Sequence, residues 1–206
     1  TLARAIIFEF PENYRYYAEK EFTYNGITQP NRNLLLFRDA TVDGLKTGHT
    51  EEAGYCLVAS AKRGDTRLVA VVMGTKSEEA RATETAKLIN WGYNAFETYA
   101  PYAAGTLLGE ATVWMGKTDK VALGVNEDVT LTIPRGAHTG LAAAITVQPE
   151  LRAPLKKGDR IGSLVIKSGE DVVLEKPLVA MNDVEEANIF VRFWHWLKLL
   201  FSGLFG

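Results

Sequence analysis

Two nearly unbroken apolar runs, Gly54-Tyr55-Cys56-Leu57-Val58-Ala59-Ser60-Ala61 and Leu68-Val69-Ala70-Val71-Val72-Met73, flank the segment Arg63-Gly64-Asp65-Thr66. Short runs of this kind read as strands, and a glycine-bearing segment between them reads as a turn, so the pair predicts an antiparallel hairpin. Continuous rather than alternating apolarity predicts central strands covered on both faces. A helix is expected to follow, with Ser77 as its cap and Glu78 and Glu79 suited to its positive end. Leu88, Ile89, Tyr93 and Phe96 fall at helical spacing along it. Helix packed on antiparallel sheet is the architecture these residues dictate for the first half.

The texture changes near Tyr99-Ala100-Pro101. Short β-rich runs follow at 112–115, 121–125, 129–133, 142–147, 160–166 and 172–179, punctuated by glycine or proline. They predict a small all-β sandwich or barrel. The expected class is therefore α+β, with a first domain over 1–99, a β-rich domain over 100–187 and a separate segment over 188–206. A hydrophobic fraction of 47% in 206 residues is enough for real cores. A formal charge of -2 argues against a nucleic-acid binder, which needs a basic face. Cys56 is the one cysteine, so an intramolecular disulfide framework is excluded; within an apolar strand it is expected to be a small core residue.

That mean charge hides an asymmetry. No acidic residue follows Glu186, leaving residues 1–187 at -4 and residues 188–206 at +2. The last segment also holds Phe190, Phe193, Trp194, Trp196, Phe201 and Phe205. On a helix, Asn188, Arg192, His195, Lys198 and Ser202 form one polar stripe, and the rest of the circumference is apolar. A spanning helix needs about 20 predominantly apolar residues without such a stripe. An amphipathic helix with Arg192, Phe193, Trp194, Trp196 and Lys198 at its surface is expected to lie on an anionic membrane; the alternative is a helix docked on the protein's own core. At the other end, Thr1-Leu2-Ala3-Arg4-Ala5-Ile6-Ile7-Phe8 lacks a signal-peptide pattern. It reads as an uncapped helix ending before Pro11, as if the chain began partway through a domain.

The stretch Val42-Asp43-Gly44-Leu45-Lys46-Thr47-Gly48-His49-Thr50 runs into the first apolar strand. A Lys-Thr-Gly triplet is one of three signatures of penicillin-recognising serine enzymes, and on an edge strand its ammonium and hydroxyl can meet a substrate carboxylate. The glycine lacks a Cβ, so a ligand backbone can approach. Alone the triplet is a weak signal, and a solvated turn ahead of a strand explains it equally well.

Its surroundings carry more. Glu21-Phe22-Thr23-Tyr24-Asn25-Gly26-Ile27-Thr28-Gln29-Pro30-Asn31-Arg32-Asn33, then 42–50 and 54–73, then Leu131-Thr132-Ile133-Pro134-Arg135-Gly136 and Ala153-Pro154-Leu155-Lys156-Lys157-Gly158, and finally the amphipathic tail, appear in one order. In that order the sequence resembles the low-molecular-mass penicillin-binding proteins, D-alanyl-D-alanine carboxypeptidases of the penicillin-binding protein 5 type. The resemblance implies the C-terminal part of a serine β-lactamase/DD-peptidase-like domain, a β-rich second domain and a membrane-anchor helix at the periplasmic face of the bacterial inner membrane. It implies substrate binding by Lys46, Thr47 and Gly48, with the backbone N–H of His49 as an oxyanion-hole donor. It also places Arg81 near the terminal carboxylate of the substrate and Arg32 close by; for Arg81 direct contact with bidentate geometry is one reading, and for both arginines an ordinary surface charge is the other. The implied partners are the D-Ala-D-Ala end of peptidoglycan stem peptides, β-lactam antibiotics, the membrane surface and the N-terminal remainder of the same enzyme.

The family nucleophile belongs to an S-x-x-K motif, and this chain has none; Ser60-Ala61-Lys62-Arg63 comes nearest and ends in arginine. It has no S-x-N either. The expectation is a chain that supplies substrate docking and is inactive alone. The rival expectation is a non-catalytic, membrane-associated β module that only binds partners. His49, His138 and His195 lack ligand-like spacing, so neither metal nor cofactor is expected. Arg63-Gly64-Asp65 is explained by hairpin-turn chemistry.

Overall fold

In the computed structural model, which describes residues 1–205 and side chains as far as Leu200, the chain divides into two units, Thr1–Thr98 and Tyr99–Gly206. The first opens with α1 (Leu2–Glu9) and α2 (Pro11–Tyr14), followed by a 3-10 turn at Arg15–Ala18. Pro11 sits at the first position of α2, where its missing N–H is not needed and its fixed φ suits a helix start. Strands β1 (Glu21–Tyr24) and β2 (Ile27–Pro30) form an exposed hairpin. Asn25 and Gly26 turn it, with φ of 49° and 74°, the left-handed pair that matches strand twist. A short α3 (Leu35–Arg38) leads into β3 (Val42–Thr50), β4 (Gly54–Arg63) and β5 (Thr66–Thr75), an antiparallel sheet in the order β3-β4-β5.

Helix α4 (Glu78–Ala95) covers one face of that sheet. The Ser77 hydroxyl accepts from the Ala80 N–H at 3.0 Å, capping a first turn that carries Glu78 and Glu79. Ala82, Ile89 and Tyr93 pack with Leu35, Leu36, Leu57, Ala59, Ala61 and Ala70, and full burial of a side chain such as Leu57 or Ile89 contributes about 1.5–3 kcal/mol. Ile7, Tyr14 and Leu45 form a second cluster, joined by Val58.

Three expectations need correction in this unit. The apolar run 68–73 is not covered on both faces: Val69, Val71 and Met73 are exposed, Met73 by 70%, because they alternate with Ala70 onto the face that α4 does not cover. Phe96 lies beyond α4 and Leu88 is exposed, so the buried stripe is Arg81, Ala82, Thr85, Ile89, Gly92 and Tyr93. Cys56 is half-buried, outside the core, with its thiol directed to the Ala53 carbonyl oxygen at 3.4 Å.

Strand β6 (Phe96–Tyr102) leads into the second unit. There β7 (Leu107–Trp114), β8 (Lys120–Gly124), β9 (Val129–Pro134), β10 (Leu141–Val147), β11 (Leu151–Arg152), β12 (Arg160–Ser168) and β13 (Asp171–Ala180) follow. Six of them form a sheet in the order β10-β12-β13-β8-β7-β11, and β6 pairs with β9. Val129, Leu131 and Ile133 alternate inward along β9 and pack with Leu164 and Ile166 of β12, so the ribbon closes over the larger sheet. The six β-rich runs read from the sequence all fall on strands; β6 and the two-residue β11 carried no comparable signal.

The chain ends in α5 (Ile189–Phe205), which belongs to the second unit. Most of its described apolar side chains face outward: Phe190 is 82% exposed, and Ile189, Phe193, Trp194, Trp196 and Leu200 are also exposed, while Leu197 and Leu199 are half-buried. Two members of the polar stripe, Arg192 and His195, meet the rest of the unit, while Asn188 and Lys198 stay exposed. Arg192 pairs with Glu186 at 2.7 Å, and His195 Nδ1 accepts the Met115 N–H at 2.8 Å while its ring meets Trp114 edge-on. Lys198 lies over the Trp194 ring at 5.9 Å. The side chains of Phe201, Ser202 and Phe205 lie outside the described residues, as does Gly206. No helix among the described residues is long and apolar enough to cross a membrane.

Candidate functional site

Strand β3 is the end strand of its sheet, paired on one side with β4. Its second half carries Lys46, Thr47, Gly48 and His49. Lys46 and His49 are exposed, Thr47 is half-buried, and the Lys46 ammonium donates to the Thr47 carbonyl oxygen. Gly48 stands opposite Cys56, and a Cβ built on it would come no nearer to anything than 4.0 Å. The surface over Gly48 is therefore open.

Tyr55 links this strand to the arginines. The His49 ring lies 4.0 Å from the Tyr55 ring at 33°, and the Arg81 guanidinium lies 5.6 Å from the Tyr55 ring centre. Arg81 departs from both readings, a direct ligand contact and a surface charge. It is 2% exposed, and its Nη2 donates to Glu78 Oε1 at 2.9 Å and to the Arg32 carbonyl oxygen at 3.1 Å. A guanidinium committed in this way fixes the Arg32 backbone and leaves the exposed Arg32 side chain to face outward.

The first half of β3 carries residues the sequence reading passed over. Asp43 accepts the Tyr14 hydroxyl at 2.5 Å and both Arg67 nitrogens, Nη1 at 2.8 Å and Nη2 at 2.7 Å. Arg67 Nη1 also donates to the buried Ser60 hydroxyl at 2.7 Å. Burial first, then the hydrogen bond to Asp43, push the Tyr14 hydroxyl up to about 12. Arg67 is pushed further up chiefly by its hydrogen bonds to Asp43. Asn33, 1% exposed, donates to the Gly44 carbonyl oxygen at 3.0 Å. The one sequence signal for this group was an acid placed three residues before Lys46. No group of three or more His, Cys, Asp or Glu side chains able to hold a metal ion occurs among the described residues.

A family model described as D-alanyl-D-alanine carboxypeptidase matches residues 1–77, ending just past the β3-β4-β5 sheet. A second, described as the C-terminal domain of penicillin-binding protein 5, matches residues 96–186. The chain belongs to the D-alanyl-D-alanine carboxypeptidases of the penicillin-binding protein 5 type. Within that family it is 43% identical to D-alanyl-D-alanine carboxypeptidase DacC of Escherichia coli over 100% of this chain and 52% of that protein. It is 43% identical to DacA of Haemophilus influenzae over 98% of this chain and 52% of that protein. The crystal structure of penicillin-binding protein 5 from Haemophilus influenzae superposes with a TM-score of 0.79 at 42% identity, covering 90% of this chain and 55% of that one. The chain spans about half the length of the curated relatives it matches.

Proposed function

We propose that the chain forms the substrate-docking portion of a serine-type carboxypeptidase that removes the terminal D-alanine from peptidoglycan stem peptides. The observation that carries this reading is the open outer edge of β3, with Lys46, Thr47, Gly48 and His49 in line along it. An extended peptide laid antiparallel on such an edge pairs with backbone groups on alternate residues, and Gly48 admits its main chain without a side-chain clash. Lys46 and the Thr47 hydroxyl then meet the terminal carboxylate, with Arg32 close to it. The His49 N–H supplies one donor to the oxygen that becomes negative as the carbonyl is attacked. The attacking serine is not among the residues of this chain, which has no S-x-x-K. β-Lactams, which mimic the D-Ala-D-Ala end, would be held by the same groups.

The second unit carries the helix that meets a membrane. Helix α5 turns Phe190, Phe193, Trp194 and Trp196 outward and carries no acidic residue, which suits the interface of an anionic bilayer. The reading places the protein on the periplasmic face of a bacterial inner membrane, peripherally held.

Acylation by a fluorescent penicillin tests the first part, using the complete product of the gene that encodes this chain. Lys46→Ala is expected to lower the labelling rate at least tenfold, and undiminished labelling removes Lys46 from the site. For the second part, deleting residues 188–206 is expected to abolish co-sedimentation with anionic vesicles; persistent binding contradicts the anchor.

A further inference from the structure

Strand β3 has a strand neighbour on one side only, and its ladder with β4 is irregular between Val42 and Gly44. An end strand with a break in its ladder is free to twist away from the sheet unless side chains tie it down. Here the ties converge on residues 43 and 44. The Arg67 guanidinium starts from β5, bonds Ser60 on β4 and ends on both oxygens of Asp43 on β3, so one side chain spans all three strands. Tyr14 reaches Asp43 from α2, with the Arg67 guanidinium 5.5 Å from its ring centre.

Gly44 completes the arrangement. A Cβ there would stand 2.8 Å from the Tyr14 hydroxyl oxygen, so the close approach of α2 to β3 requires this glycine. From the other direction Asn33 holds the Gly44 carbonyl while its own Oδ1 accepts the Leu35 N–H at 3.2 Å. Residue 44 is thus packed against Tyr14 of α2 and hydrogen-bonded by Asn33, just ahead of α3. Lys46 follows two residues later, roughly 7 Å along an extended strand. A rotation of the strand at residue 43 is therefore carried directly to the ammonium and to the His49 amide.

We propose that Asp43, Tyr14 and Arg67 are positioning residues that set the height and twist of β3, and through it the placing of Lys46, Thr47 and the His49 N–H. This rests on the reading of β3 as the docking strand. None of the three touches substrate. Their effect is through preorganisation, where a displacement of about 1 Å can cost up to 100-fold in rate.

The test has two arms with separate failure modes. In this chain, hydrogen exchange of the segment 44–50 is expected to quicken in Asp43→Asn and Arg67→Gln, with exchange in α4 unchanged. Unchanged exchange at 44–50 overturns the proposal, and equal quickening in α4 shows a general loss of stability and overturns it too. In the complete gene product, penicillin acylation is expected to slow at least tenfold in Asp43→Asn. A smaller loss is expected in Tyr14→Phe, which keeps the ring and serves where Asp43→Asn does not fold. Arg67→Lys is expected to restore part of what Arg67→Gln loses. For a D-Ala-D-Ala peptide the loss is expected mainly in kcat, with KM changed less than threefold. Normal acylation in Asp43→Asn and Tyr14→Phe alongside a dead Lys46→Ala overturns the positioning role and leaves the docking strand intact. Normal acylation in Lys46→Ala overturns the docking reading and the proposal with it.

Discussion

Gly44 and Gly48 lie four residues apart on one strand, and the structure predicts opposite outcomes when each becomes alanine. At Gly44 the new Cβ stands 2.8 Å from the Tyr14 hydroxyl oxygen and 3.2 and 3.3 Å from two ring carbons. Tyr14 is buried and held by Asp43 and the Arg67 guanidinium, so it has little room to yield. If the ring stays, overpacking costs about 1–3 kcal/mol. If it swings away, its hydrogen bond to a charged carboxylate is lost, at about 1.5–3 kcal/mol. Either route gives about 2 kcal/mol, which lowers the melting temperature of a domain this size by roughly 8–16 °C. At Gly48 the nearest atom is the Cys56 Cβ at 4.0 Å, an ordinary contact, so the change in stability is expected within about 0.5 kcal/mol. Thermal and urea unfolding of the full chain measure both. Removing the offending oxygen should relieve the first: Gly44→Ala in a Tyr14→Phe background is expected to show a favourable coupling of about 1 kcal/mol. Equal stability of the two alanine variants, or strict additivity with Tyr14→Phe, refutes the packing account.

Two further predictions concern the same unit. Ser77→Ala removes the cap of α4 and is expected to cost about 1 kcal/mol in urea unfolding, with Ser77→Asp retaining most of it; an unchanged midpoint in Ser77→Ala contradicts the cap. Because Tyr14 is pushed up to about 12 by burial and then by Asp43, it stays neutral in the native state while the unfolded chain begins to ionise near pH 10. Its contribution is present in full below pH 10 and lost as pH rises to 12, about 2–3 kcal/mol in all. The stability difference between the natural chain and Tyr14→Phe should shrink over that range, and a constant difference would show that the hydroxyl is not shielded.

Periodicity and turn chemistry carry most of the secondary structure. The β4-β5 hairpin and six strands of the second unit are legible because apolar runs end at glycine, proline or charge. Exposure of Val69, Val71 and Met73 is not legible, since an apolar run looks the same whether or not a neighbour covers it. The β1-β2 hairpin had a usable signal in Asn25-Gly26, obscured by strands of only four residues. At the site, Lys46, Thr47 and Gly48 stand out as a triplet, whereas Tyr14, Asp43, Ser60 and Arg67 are scattered over 54 positions and meet only through the fold. Arg81 shows the converse: the resemblance suggested a place near the ligand, and burial against Glu78 and Arg32 gives it internal work.

Helix α5 is keyed to its unit at two places, Arg192 on Glu186 and His195 on the Met115 amide. Turning the helix by a quarter revolution would break the His195 bond to the Met115 amide and part the exposed Arg192–Glu186 pair, the first being the costlier loss. His195 thus works as a registration mark within an otherwise exposed polar stripe. It fixes the bearing along which Phe190, Phe193 and Trp194 project, and any surface that receives them receives the β unit in one orientation.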